Sequence, residues 1–234
     1  MKSNGKHPWR ASLIDMDGVL YDSMPGHTLA WHRMMSENGF NIPREEFYLY
    51  EGMTGPATIE MLYRRERGEE LTPQRGRELY AIKAGYFKEM GEAPVISGAQ
   101  RMVTALGEKG MIRILVTGSA QESLLTKLNR DYPGVFIDGH RVTALDVAHG
   151  KPDPEPYLRG AALAGVAPND CLVVENAPLG VLAGKRAGCT VAAVMTGPIP
   201  KKEFEQAGAD YIFESMDDFA DWIESGFDDE GRII

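Results

Sequence analysis

Long apolar runs, paired cysteines and an excess of positive charge are all missing from this sequence. No stretch approaches the ~20 consecutive apolar residues that a membrane-spanning helix needs, and the amino-terminal MKSNGKHPWR has no apolar signal core. There are only two cysteines, Cys171 and Cys189, each beside an apolar run and without metal-ligand spacing. They read as buried free thiols in a reducing compartment, which excludes a disulfide framework. Lys and Arg number 25 against 34 Asp and Glu, a formal charge of −9. A nucleic-acid surface is therefore not expected, because phosphate backbones are held by clustered cations. An anionic ligand also gains nothing from the global field, so any phosphate site must rely on local cations and a metal. Internal repeats and low-complexity segments are absent too. The expectation is a cytoplasmic protein, monomeric, with neither membrane nor nucleic-acid partners.

What is present suits a globular enzyme-sized chain: 234 residues with 43% hydrophobic and 25% charged. Ala11 to Ile14 is a short apolar run ending in Asp15, followed at once by Gly18, as a buried strand and turn would be. From Pro25 to about Met90 the spacing is helical. Trp31, Met34 and Met35 share one face; Ile59, Met61, Leu62 and Tyr63 mark a second helix, and Leu79, Ile82, Tyr86 and Phe87 a third. Strand-like runs are nearly lacking there, so the region reads as an all-helical insert.

Beyond Pro94 helices and strands alternate. Strands are expected at 112–116, within 142–147, at 171–174, 190–194 and 211–213. Helices are expected around Met102 to Leu106, after the capping-box spacing of Ser119 and Glu122, after Asp153-Pro154, from Leu179 to Ala187 and from Met216 to Ile223. Such alternation implies an α/β fold with a doubly wound parallel sheet, Rossmann-like, whose ligand sits beyond the carboxyl ends of the strands. The expected division is a core domain of residues 1–22 and 95–234 and a helical cap domain of residues 23–94.

Asp15, Thr117, Glu175 and Asn176 each fall just past or at a strand end. Asp15 and Asp17, two apart, point the same way if the chain stays extended. One carboxylate could then attack phosphorus while the other moves a proton. Taken alone, an Asp-x-Asp in an acidic protein is usually just a solvated turn. Glu175 and Asn176 offer hard oxygen donors for magnesium, or they simply cap the helix starting near Pro178. Thr117-Gly118-Ser119 opens a helix, where a hydroxyl, free N–H groups and the helix dipole make an anion site; a plain N-cap is the other reading. Lys151, in Gly150-Lys151-Pro152, could reach a bound phosphate from its loop.

In this order the four words resemble the motifs of the haloacid dehalogenase superfamily of phosphotransferases. They are Asp15-Met16-Asp17-Gly18-Val19, Thr117-Gly118-Ser119, Gly150-Lys151-Pro152, and Glu175-Asn176 with Gly180 and Ala187-Gly188. The helical insert is similar to the cap of the subgroup that contains β-phosphoglucomutase. The resemblance implies that Asp15 is the nucleophile and Asp17 the general acid/base. Thr117, Gly118, Ser119 and Lys151 would bind phosphate, and Asp15, Asp17, Glu175 and Asn176 would hold Mg2+. Ser23, His27, Trp31, Gly52 and Lys83 take the hinge, cap-contact and substrate-facing places. Residues 23–25 and 91–94 become hinges whose closure brings His27, Gly52 and Lys83 toward Asp15.

The chain departs from that pattern in three places. Asn176 stands where the family usually has aspartate, Gly55 where the mutase has an arginine, and Glu51 where it has a basic residue. Arg33, Arg64 and Arg65 are the other cations able to grip a distal phosphate. The expected activity is a magnesium-dependent phosphatase of small sugar phosphates working through a phospho-aspartate. The alternatives are β-phosphoglucomutase, interconverting β-glucose 1-phosphate and glucose 6-phosphate, and a non-catalytic phosphate-sensing protein whose metal site has decayed.

Overall fold

The structure is a computed structural model that describes residues 9–119 and 122–226, without the side chains of residues 122–125. Six parallel strands form its sheet: β1 Ala11–Ile14, β2 Ile112–Val116, β3 Arg141–Val142, β4 Cys171–Glu175, β5 Thr190–Val194 and β6 Tyr211–Phe213. Their spatial order is β3-β2-β1-β4-β5-β6. The expected α/β class with a parallel, doubly wound sheet is what the chain adopts. β1 sits centrally, with Ile14 level with Leu115 of β2 on one side and Val174 of β4 on the other.

Side chains of each strand alternate between two apolar clusters. Ile14, Leu115, Leu172, Val174, Ala192 and Val194 join α4 (Ala99–Glu108) and α9 (Met216–Ser225) on one face. Leu13, Ile114, Val116, Val173, Val191 and Ala193 join α6 (Glu155–Ala164), α7 (Pro178–Arg186) and α8 (Lys201–Ala207) on the other. A sheet covered on both faces needs continuous apolar strands, which is why these runs carry almost no polar residue. Cys171 and Cys189 are buried free thiols. No described helix is long and apolar enough to cross a membrane.

Between β1 and β2 lie α1 (Met24–Glu37), a 3-10 helix (Arg44–Tyr50), α2 (Gly55–Arg67) and α3 (Pro73–Glu89). They bury a third cluster of their own, Trp31, Met34, Met35, Phe40, Ile42, Phe47, Ile59, Leu62, Tyr63 and Leu79. The two connecting strips run side by side: the Asp22 N–H donates to Pro94 O at 2.9 Å, and Tyr21 bridges Val95.

Two local expectations change. The strand sought within 142–147 ends at Val142, because Asp146 Oδ2 accepts from the Thr143 N–H (2.8 Å) and hydroxyl (2.7 Å) and folds the chain into a turn. Helix α6 starts at Glu155, with Pro154 in the cap position, while Asp153 Oδ1 takes the Glu155 N–H at 2.9 Å. The Ser119–Glu122 capping box involves positions outside the described residues. Helix α5 spans Glu122–Asp131, with Leu128 buried.

Candidate active site

Because β1, β2 and β4 are adjacent and parallel, their carboxyl ends share one edge, and the groups expected there do converge. Asp15 is tied to β4 through its N–H and Val174 O at 3.1 Å, and is only 4% exposed. Lys151 reaches in from the loop before α6. Its ammonium donates to Asp15 Oδ1 (2.5 Å), Glu175 Oε1 (2.6 Å) and Val116 O (3.2 Å), which uses all three donors. Burial works against the Lys151 charge, but the two carboxylates outweigh it and hold the ammonium above its ordinary range. Asp15 is pushed up to about 7 by burial first; Lys151 pulls back, while Glu175 and Asp17 add to the rise.

Glu175 is saturated. Oε1 also accepts the Tyr157 hydroxyl at 2.6 Å, and Oε2 accepts the N–H groups of Asn176 (3.0 Å) and Ala177 (3.3 Å). A carboxylate offers about four acceptor positions, so this one is spent on holding Lys151 and the β4–α7 turn. A side chain at Gly180 would collide with it, its Cβ falling 1.9 Å from Oε1. Neither Glu175 nor Asn176 caps α7 by a side-chain hydrogen bond.

Asp17 faces the helical segment. Its Oδ1 accepts from Ser23 Oγ (2.6 Å) and lies 3.2 Å from His27 Nε2. Lys83 Nζ lies 2.6 Å from His27 Nδ1. The ammonium can only donate, so Nδ1 accepts and Nε2 carries the proton toward Asp17. The His27 ring is stacked on Phe87 with centroids 3.8 Å apart. Burial pushes the Asp17 carboxyl up, but His27, the hydrogen bonds from His27 and Ser23, and the Lys83 charge together hold it below its ordinary value. Burial lowers Lys83 to about 8, against the pull of Asp17. Burial and then the Lys83 charge lower His27 in turn.

The third cluster of groups crosses between the two parts. Glu51 is 7% exposed, and the Asn176 Nδ2 donates to both its oxygens at 3.0 and 3.1 Å. Burial raises the Glu51 carboxyl well above its ordinary range; Asp15, Glu175 and Asp17 add to the rise, while the Asn176 hydrogen bond opposes it. Gly52 (φ +89°) sits against Lys151, where a Cβ would meet Lys151 Cδ at 2.8 Å. A Cβ at Gly118 would lie 3.2 Å from Gly52 O. The helical segment thus rests directly on the strand-end loops.

Thr117 Oγ1 accepts the Ser119 N–H at 3.0 Å. Two buried polar atoms in this region have no hydrogen-bond partner, Ser119 Oγ and Asn176 Oδ1. A buried acceptor left without a donor costs free energy unless something else satisfies it. A cavity of ≈ 70 Å³ beside Ser119 is lined by Asp15, Asp17, His27, Trp31, Glu51, Gly52, Lys83 and Gly118 among others; Thr117 and Asn176 are not in its lining. Every expected cap residue therefore lies at the cavity or bonds to Asp17. Trp31 does double service, also stacking on Phe47 at 6.2 Å within the helical cluster.

Residues 9–188 match the family described as haloacid dehalogenase-like hydrolase. The chain belongs to that family. It is 32% identical over 182 residues to hexitol phosphatase A of Escherichia coli (strain K12), covering 78% of this chain and 81% of the other. It is 24% identical over 221 residues to the β-phosphoglucomutase of Bacillus subtilis (strain 168), covering 89% and 91%. A solved structure from Bacteroides vulgatus, provisionally named a β-phosphoglucomutase, superposes with a TM-score of 0.88 at 43% identity, over 93% of this chain and 88% of that one. The protein is thus an enzyme of the haloacid dehalogenase-like hydrolases, with a phosphatase and a phosphoglucomutase among its relatives.

The cationic clamp sought on the helical segment does not form. Arg33 pairs with Glu37 and Glu89, Arg64 with Glu60 and Glu70, and Arg65 with Glu46 and Glu66, all at the surface, and none of the three lines the cavity. Glu51 and Tyr157 are the participants that sequence reasoning did not assign. Glu51 registers in sequence only as a missing base. Tyr157 reads as an ordinary apolar position of a helix face, and no local signal marks its hydroxyl.

Proposed function

We propose that this enzyme is a magnesium-dependent phosphatase of small sugar or polyol phosphates that works through a phospho-aspartate on Asp15. The observation that carries this reading is the buried Asp15–Lys151–Glu175 group at the strand ends with Asp17 beside it. In the first step the Asp15 carboxylate attacks phosphorus and the ester oxygen leaves with a proton from Asp17. In the second, water attacks the phospho-aspartate and Asp17 takes its proton. The resting Asp17 is held ionised, as the second step requires. A phosphate dianion placed next to it raises its pKa and favours the protonated form needed by the first. Ser23 and His27 orient that carboxylate, and Lys83 fixes the His27 tautomer. Thr117, Gly118 and Ser119 hold the phosphoryl oxygens, and residues 23–94 act as a cap that keeps bulk water out.

The residues present fit a divalent cation. Four carboxyl groups, Asp15, Asp17, Glu51 and Glu175, face only two ammonium groups, Lys83 and Lys151, and Asn176 Oδ1 is a buried oxygen without a donor. Unbalanced buried charge is costly, and hard oxygen donors suit magnesium. Asp15, the Asp17 carbonyl, Asn176 Oδ1 and Glu51 would hold it, with Glu175 acting through Lys151. When bound, magnesium offsets the repulsion between the Asp15 carboxylate and a phosphate dianion.

The mutase reading ranks second because a sugar bisphosphate needs a cation at each end, and the helical arginines are spent on surface ion pairs. The non-catalytic reading ranks last, since the buried acid–lysine group is complete. One preparation tests all three. Small phosphate esters are assayed for phosphate release with and without magnesium, and β-glucose 1-phosphate with a trace of the 1,6-bisphosphate is assayed for glucose 6-phosphate. Magnesium-dependent phosphate release is expected. Rapid isomerisation with little phosphate release would reverse the ranking.

A further inference from the structure

Part of the cavity wall is built from a glycine and an aromatic ring. Helix α2 begins at Gly55, which lines the cavity and is buried. A Cβ built at this position would fall 2.0 Å from Tyr80 Cδ2 and 2.1 Å from Cε2, so the phenol ring of α3 fills the space in which a side chain at 55 would stand. The ring leans on Trp31, with centroids 6.2 Å apart and planes at 39°. Lys83 supplies a cation beside the ring, its Nζ 5.9 Å from the centre of the Tyr80 ring and 5.0 Å from that of Trp31.

The cavity volume of ≈ 70 Å³ is far below the roughly 300–1,000 Å³ of ordinary small-molecule pockets. On the scale at which one water needs about 10–15 Å³, it takes a phosphoryl group and a short leaving group but not a pyranose ring.

We propose that the Tyr80 ring, seated over Gly55, sets the upper size of the leaving group, so that the enzyme takes phosphate esters of short, oxygen-rich alcohols in preference to those of hexoses. The Lys83 ammonium beside the ring favours leaving groups rich in hydroxyl or carboxyl oxygens. This rests on the phosphatase reading above and adds a residue that selects among its substrates.

The test is a ratio measured within each protein, which is insensitive to how much of a variant is folded. kcat/KM is determined for glycerol 3-phosphate and for glucose 6-phosphate, with magnesium, in the native enzyme, Tyr80→Ala and Tyr80→Phe. The native enzyme is expected to favour the glycerol ester. Tyr80→Ala is expected to shift the ratio at least tenfold toward the hexose ester, and Tyr80→Phe, which keeps the ring, to retain the native ratio. An unchanged ratio in Tyr80→Ala, or a native preference for glucose 6-phosphate, overturns the assignment of Tyr80 and leaves the phosphatase reading standing. No magnesium-dependent phosphate release from either ester by the native enzyme removes both.

Discussion

The two halves of the site are held in place by different means. On the strand side, Asp15, Thr117 and Glu175 are positioned by the sheet: their places follow from hydrogen-bonded register, and Lys151 is locked between two of them. On the helical side, Ser23, His27 and Glu51 are positioned by contacts with the strand side itself, through Asp17 and Asn176, and Lys83 by its contact with His27. A group fixed by backbone register persists whatever the rest of the molecule does. One fixed by a few side-chain hydrogen bonds is in place only while the two parts touch. The strand side should therefore govern the chemical step, and the helical side should tune metal affinity through Glu51, the state of Asp17 through His27 and Lys83, and selection.

The largest expected effect comes from Asp15→Asn, which removes the attacking oxygen charge. Phosphate release should fall by roughly 10⁴-fold or more, equivalent to about 5 kcal/mol of barrier. Binding of the substrate, followed by calorimetry, should survive. Retained turnover would mean that the strand side does not carry the chemistry.

Lys151→Met comes next. It leaves Asp15 and Glu175 buried without their shared cation, so activity should drop by about 10³-fold and stability by roughly 3–5 kcal/mol, read from urea unfolding. Should stability hold while activity falls, the lysine serves only the ligand and does not interlock the strand side.

Glu51→Gln tests the helical side. Affinity for Mg2+ or Mn2+, measured by titration calorimetry on the protein without substrate, should weaken by about 10–100-fold, while kcat at saturating metal changes much less. Native affinity in this variant would place the cation wholly on the strand side.

The smallest effect is one of pH. Lys83, lowered to about 8, is charged below that value and neutral above it, so the chain through His27 to Asp17 loses its cation as pH rises. kcat/KM should decline by about tenfold above pH 8. Lys83→Arg should move the decline upward, since guanidinium stays charged, and Lys83→Met should abolish it. A profile flat to pH 9 in the native enzyme would detach the helical relay from catalysis.

Legibility in the sequence followed the same division. β1, β2, β4 and β5 stand out as short apolar runs, since a strand covered on both faces must be apolar throughout. Asp15, Thr117 and Glu175 are then found by looking at the residues where those runs stop. β3 is hard to bound from the sequence because it has only two residues and Asp146 turns the chain immediately after it. Helix α8 has no signature in the sequence, being seven residues long with little apolar periodicity to mark it. Arg33, Arg64 and Arg65 were open as clamps until their acidic neighbours at the surface claimed them.

From its order of residues alone, this protein declares its α/β class and the groups at its strand ends, because both depend on periodicity and on short-range chain direction. Only the folded chain shows that Glu51 faces Asn176, that Tyr157 holds Glu175 and that Tyr80 fills the space over Gly55. Those pairs are separated by 125, 18 and 25 positions. Contacts between distant positions are set by how helices pack onto strands and onto each other, and no local pattern encodes that packing.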